Sequence, residues 1–373
     1  MKSIKEITDL KGKRVLVRFD FNVPIQNGKV VDDFRIKKAI PTIEYLHKKG
    51  AIIVILSHLG ESGHDSLAPV ATRLKKYIPT LKFVTTSIFS DITEDTVKAA
   101  KKGDIFMLEN VRKESGEKNN SPSFARALSR YGEIFVNDAF SVSHRPHASI
   151  IGITKYLPGY AGLQLMDEVK HLSEAFNPKH PFLFILGGAK FSTKMPLVKK
   201  FLRNADNVFI SGALANDFFK AKGYEVGKSL VEEGNFHIAS LLKHKNLLLP
   251  KDVRVVNGKK SRFVKADYVD KDEAIVDSGP ETIAVMADLI KKSKFVLWNG
   301  PLGKYENGFG GATEELLKLI SKTDCYSVIG GGDTVAIISK LKLENKLGFV
   351  STGGGATLDF LAKGTLPGIK VLK

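Results

Sequence analysis

Short apolar runs alternate with longer amphipathic stretches along most of the chain. In the first half the runs at 15–19, 52–56, 82–85, 105–108 and 134–137 predict strands. In the second half those at 182–186, 208–211, 295–299 and 327–329 do the same. Most of the runs are continuously apolar, the pattern of strands buried on both faces. Between them the spacing predicts helices over 34–49, 123–131, 196–203, 213–222, 282–292, 312–321 and 334–340. Strands alternating with helices in this way predict an α/β fold of parallel sheets with helices on both faces, repeated in two units. Pro158, Gly159, Gly162, Pro178 and Pro181 bracket a helical stretch over 163–176, which reads as a stiff connector between the units.

In open parallel sheets ligands bind beyond the carboxyl ends of the strands, so the residues that follow each apolar run carry the functional signal. In the second half these are Gly187-Gly188-Ala189-Lys190 with Lys194 four residues on, Ser211-Gly212-Ala213, Asn299-Gly300-Pro301, Gly330-Gly331-Gly332-Asp333-Thr334, and Ser351-Thr352-Gly353-Gly354-Gly355. Glycine lets the backbone approach an anion and present its amides, and a helix beginning after the turn adds its positive end. One such turn would mean little; five in one half predict a polyphosphate site. Neither a complete P-loop nor a Gly-x-Gly-x-x-Gly fingerprint is present: Gly227-Lys228-Ser229 has the P-loop tail, but Lys222 stands where its first glycine belongs.

The first half offers different chemistry. Its strand ends read Arg18-Phe19-Asp20-Phe21-Asn22-Val23-Pro24, Ser57-His58-Leu59-Gly60, Leu108-Glu109-Asn110-Val111-Arg112 and Asn137-Asp138-Ala139-Phe140, the last followed by His144-Arg145-Pro146-His147. Arg35 lies near the start of the next predicted helix. Arginines and histidines at strand ends suit a small carboxylate or phosphate, which the guanidinium fork grips through two nitrogens. Plainer readings exist for two of them, Asp20 as the ion-pair partner of Arg18 or Arg35 and His58 as a buried histidine; the spacing of His144 and His147 invites a metal, but Arg145 between them favours a cationic pocket for an anion.

The formal net charge of +17 favours anionic partners. Much of it is lysine in helical stretches, and no basic run with interleaved aromatics marks a nucleic-acid binder. No stretch reaches the roughly 20 apolar residues that span a bilayer, and the first ten residues lack the apolar core of a signal peptide. Cys325 is the one cysteine, so no intrachain disulfide forms; it reads as a core residue before an apolar run.

Taken together and in order, these motifs resemble phosphoglycerate kinase over nearly the whole chain. The Arg18 to Pro24, Asp32-Asp33-Phe34-Arg35-Ile36, Leu108 to Arg112, and Asn137 to Ser149 segments are similar to that family's triose-binding motifs. Leu186 to Lys190, Trp298 to Pro301, Gly331 to Thr334, and Ser351 to Ala356 are similar to its nucleotide-side signatures. The resemblance implies two Rossmann-like three-layer domains facing across a cleft, with parallel sheets and a joining helix. Residues 1–160 would bind the triose, 161–178 form the helix, 179–352 bind the nucleotide, and 353–373 return to the first domain.

It also implies reversible transfer of the acyl phosphate of 1,3-bisphosphoglycerate to ADP, giving 3-phosphoglycerate and ATP, in line and after domain closure. The enzyme would be a cytoplasmic glycolytic monomer, requiring Mg²⁺ and having neither a membrane nor a specific nucleic acid as partner. Position by position, Asp20 and Asn22 would hold the triose, with Arg35, His58, Arg112 and Arg145 forming its basic groove. Lys190, Lys194, Asn299, Glu306, Gly331, Gly332, Asp333 and Thr334 would bind the nucleotide, with Asp333 contacting Mg²⁺. Arg35, Lys190 and Gly354 would stabilise the moving phosphoryl group. No general base is called for, because such a transfer rests on positioning and electrostatics.

Four positions depart from the pattern. Glu61 follows His58-Leu59-Gly60 where an arginine is usual, Lys304 replaces an apolar residue before Tyr305-Glu306, and Thr357 and Asp359 replace serine and glutamate. Two rival readings remain at this point: a relative weakened at Glu61, and a basic nucleic-acid binder.

Overall fold

The computed structural model describes residues 1–234 and 238–372. Two compact units emerge, one of residues 1–170 together with Lys363 onward, the other of residues 171–362. The helix Leu163–Ser173 carries the chain from the first to the second.

The first unit is built on a six-stranded parallel sheet in the order Lys82–Phe83, Ile105–Met107, Ile52–Leu56, Arg14–Phe19, Ile134–Asp138 and Gly159–Ala161. Ile52–Leu56 is buried at every position, because it lies mid-sheet with helices over both faces. Val15, Val17, Ile53, Ile55 and Val136 form the centre of the core, each fully buried. Residues from Lys363 onward join this unit: Asn137 donates to the Gly368 carbonyl at 3.1 Å, and the Gly368 amide donates to Ser143 at 2.8 Å.

The second unit repeats the plan in the order Leu247–Leu248, Asn207–Ile210, Phe182–Leu186, Phe295–Asn299, Tyr326–Gly330 and Phe349–Val350. All its neighbours are parallel, with Asn299 in register with both Leu186 and Gly330. The predicted strands at 52–56, 182–186 and 295–299 match to the residue.

The strands Gly159–Ala161, Leu247–Leu248 and Phe349–Val350 were not among those predicted, and three further features differ from the sequence reading. An antiparallel sheet of Lys260–Lys265, Asp252–Asn257 and Ala274–Ser278 was not predicted. It is half-buried, with Val253, Val255 and Ile275 packed on Ala215 and Phe219, while Lys260–Lys265 faces solvent. The helix expected from 196 instead spans Phe191–Phe201 with Pro196 inside. Proline favours the first turn of a helix, but here five buried apolar residues, Phe191, Met195, Leu197, Val198 and Phe201, anchor the turns on both sides of it. Cys325 is only partly buried, its sulfur 3.0 Å from the Thr323 hydroxyl. Burial raises its thiol pKa, which disfavours a nucleophilic role.

Candidate active site

In the first unit the six predicted triose residues form one connected network. Asp20 directly follows the strand Arg14–Phe19, and Arg35 stands in the first turn of the helix Phe34–Lys48. Arg35 Nη1 donates to Asp20 Oδ2 at 2.7 Å and to the Asn22 carbonyl at 3.1 Å. Asp20 thus pairs with Arg35, and Ser141 also donates to its carboxylate. The Asn22 amide donates to Asp20 Oδ1 at 2.9 Å, while Asn22 Oδ1 accepts from the Gly60 amide at 2.9 Å. The Gly60 carbonyl in turn accepts from Arg112 Nη1 at 2.6 Å. Glu61 then meets Arg112 Nη1 at 3.1 Å and Arg145 Nη1 at 3.4 Å.

His58 is buried and lies 3.7 Å from Asp20. Burial pushes its imidazole well below the usual histidine range against the pull of Asp20, so it is neutral at pH 7. Its Nδ1 lies 3.2 Å from Nη2 of the buried Arg18 and must be the acceptor there, since a guanidinium has no lone pair to offer. Burial also pushes Asp20 upward, but Arg35, Ser141 and the Asn22 amide outweigh it and hold the carboxyl well below the usual range.

Arg18 and Ser141 belong to this network without having been assigned a role from sequence. Arg18 Nε donates to Ser149 Oγ at 2.9 Å, and Ser149 Oγ donates to the buried Glu117 at 2.6 Å. Glu117 also lies 3.6 Å from His147 Nδ1. His147 therefore serves this buried chain, and among the described residues no group of three metal-ligating side chains exists.

In the second unit the glycine turns crowd at the carboxyl ends of adjacent strands. A Cβ on Gly187 would fall on the Pro301 carbonyl, and one on Gly331, where φ is +101°, would come 2.9 Å from the Gly300 amide nitrogen. Glycine is needed at both for the turns to touch. Beside them opens a cavity of about 230 Å³. Gly188, Gly212, Glu306 and Asp333 supply its polar lining, and Phe219, Leu230, Pro250, Val253 and Ile275 its apolar wall. The apolar wall escaped the sequence reading because most of it lies in or beside the unpredicted sheet; the alternation of Val253 and Val255 is the signal that could have found it. Asp277 was missed too. It lines the cavity, and burial pushes its carboxyl up to about 6.

Lys194 is buried and donates to the Gly187 carbonyl at 2.5 Å. Burial lowers its ammonium to about 8; Asp333 opposes the shift and Lys190 adds to it. Lys190 itself is exposed, in the left-handed region at φ +61°, just before the helix that carries Lys194. Asn299 Nδ2 and Thr334 Oγ1 are buried without a hydrogen-bond partner among the described residues. Such orphaned groups are costly and suit ligand atoms at the strand ends. Gly332 and Gly354 are open, with nothing within 4 Å of an added Cβ; Gly354 has φ +49° and precedes the helix Gly355–Lys363. Lysines, the Asp333 carboxylate and exposed turn amides form a surface that can bind a polyphosphate and neutralise charge as it develops.

Comparison with known proteins agrees with this chemistry. The sequence profile described as phosphoglycerate kinase matches residues 4–364. The phosphoglycerate kinase of Dictyoglomus turgidum is 41% identical over 98% of this chain and 96% of that protein. That of Thermus thermophilus is 41% identical over 98% of both. Among solved structures, the phosphoglycerate kinase of Coxiella burnetii aligns with a TM-score of 0.83 at 38% identity over 99% of this chain and 98% of that one. The Pyrococcus horikoshii enzyme aligns with a TM-score of 0.89 at 28% identity, over 100% and 98%.

Proposed function

The chain belongs to the phosphoglycerate kinase family, and on that premise we propose how its two units divide the reaction. The activity is the glycolytic phosphotransfer between 1,3-bisphosphoglycerate and ADP, giving 3-phosphoglycerate and ATP. The triose binds the first unit on Asp20, Asn22, Arg35, His58, Arg112 and Arg145. The nucleotide binds the second, its base against the apolar wall, its ribose at Glu306 and its phosphates toward Gly331, Gly332, Asp333, Thr334, Lys190 and Lys194. The observation that carries this division is the contrast between the two sites. One is a linked set of arginines that suits a small oxyanion; the other is a cavity lined both by glycine turns and by apolar side chains.

The donor set also fits Mg²⁺. Asp333 is an exposed carboxylate lining the cavity, and among the described residues no cage of three ligating side chains surrounds it. That suits an ion which keeps its waters and arrives on phosphate oxygens. When bound it would draw charge from the phosphates, as Lys190, Lys194 and the Gly354 turn do from the protein side. Asn299 and Thr334 would complete their hydrogen bonding against the nucleotide.

Two variants test the division. Arg145→Ala should raise KM for 3-phosphoglycerate about tenfold with KM for MgATP unchanged, and Asp333→Asn should do the reverse. Steady-state kinetics in the direction of ATP consumption reads both, and crossed effects would overturn the assignment.

In-line transfer needs the two ligands in contact, so the proposal includes closure of the units on them, with the enzyme acting as a cytoplasmic monomer. Small-angle scattering should show compaction with both ligands present and a mass of one chain throughout. Unchanged dimensions with both bound would count against closure.

A further inference from the structure

Arg112 is an unusual cation. Its side chain is only 1% exposed, yet Nε and Nη2 have no hydrogen-bond partner among the described residues. Nη1 alone is engaged, by the Gly60 carbonyl and by Glu61. Arg145, by contrast, is about one-third exposed and meets both oxygens of the same Glu61 carboxylate at 3.4 Å. Two arginines 33 residues apart in sequence therefore converge on one carboxylate that neither fully satisfies.

Glu61 differs from both. Its side chain is 68% exposed, while its backbone is fastened. Lys118 donates to the Glu61 carbonyl, and the preceding Gly60 is held at its amide by Asn22 and at its carbonyl by Arg112. The side chain can thus swing into solvent without moving the loop. We propose that the Glu61 carboxylate is a tethered anion that occupies the Arg112–Arg145 pair, is displaced by the anionic end of the substrate, and so sets the affinity for the triose. This rests on the assignment of the triose to the first unit.

Three observations support displacement over a fixed structural bridge. The Arg145 contacts are long for charge-assisted hydrogen bonds. Exposed ion pairs are weak and are readily exchanged. The two unused donors of Arg112 call for an acceptor with more oxygens than one carboxylate supplies, which a phosphate or sulfate group provides. The pair would then discriminate by charge, since a dianion outcompetes the tethered monoanion and a neutral analogue does not.

The test uses the full-length enzyme with Glu61→Gln and Glu61→Ala. Both changes lie on an exposed side chain and leave the fastened backbone alone. KM for 3-phosphoglycerate should fall about 3- to 10-fold, the range expected from relieving ion pairs whose carboxylate is largely exposed. At the same time kcat should stay within about twofold, KM for MgATP should not move, and inorganic sulfate should become a correspondingly stronger inhibitor competitive with the triose. A bridge that merely holds the arginines in place would give the opposite result, a higher KM and weaker sulfate inhibition. That result, or an unchanged KM in both variants, overturns the inference. The underlying assignment is judged separately by Arg145→Ala. If that variant raises KM for 3-phosphoglycerate while the Glu61 variants do nothing, the assignment stands and the tethered anion falls. If it leaves KM unchanged, the assignment itself falls.

Discussion

Replacing Lys190 by alanine is expected to lower kcat by about 100- to 1000-fold with the fold intact, the usual cost of removing one preorganised charge from a transfer step. Among the described residues its ammonium forms neither a hydrogen bond nor an ion pair, so no structural contact is lost. The left-handed backbone at this position is as strained for alanine as for lysine, which removes conformational strain as a confounding cause. A second readout separates an electrostatic role from any other. Lys190 depresses Lys194, whose ammonium titrates near 8. In the wild-type enzyme kcat/KM for the nucleotide should decline as pH rises through about 8, because Lys194 then loses its charge. In Lys190→Ala that alkaline limb should move upward, since a like charge has gone. A near-normal kcat with an unmoved limb would remove Lys190 from the step.

Arg35→Ala is expected to cost a similar factor in kcat and, unlike the lysine change, to destabilise the first unit by about 1–3 kcal/mol. The cause of the second effect is Asp20, whose side chain is 7% exposed and whose nearest cation is Arg35 at 2.7 Å. Asp20 has a folded-state pKa below its unfolded value. The stability it contributes is present above the unfolded value and is lost as pH falls toward the folded one. The difference between wild type and variant should therefore be greatest near neutrality and shrink below about pH 3, which urea titrations at several pH values will read. Arg35→Lys restores a charge beside Asp20 without the planar fork. Recovery of stability with little recovery of rate is the expected outcome, and an alanine variant that lost stability but kept its kcat would confine Arg35 to a structural role.

Much of this organisation was legible in the chain because the chemistry is local. Strands buried on both faces announce themselves as unbroken apolar runs, so Ile52–Leu56, Phe182–Leu186 and Phe295–Asn299 could be bounded from sequence alone. Glycines such as Gly187 and Gly331 are there because another turn passes where a Cβ would sit, and the residue type records the crowding. Long-range pairing leaves no such trace. Glu61 stood out as a departure, but nothing near it says that its partners are Arg112 and Arg145. Lys260–Lys265 hides its strand character under a solvent-facing, lysine-rich sequence, and its pairing with Asp252–Asn257 is what defines it. The apolar wall of the cavity was hidden with that sheet.

The return of the chain past Lys363 has a consequence for biosynthesis. Residues 171–362 form a continuous segment and can collapse as soon as they clear the ribosome. The first unit, although translated earlier, must wait for Gly368 to reach Asn137 and Ser143 and for Leu366 and Leu372 to be buried. The nascent first unit therefore travels with an unfinished patch until synthesis has passed the whole second unit, and its core closes only once the returning segment has docked.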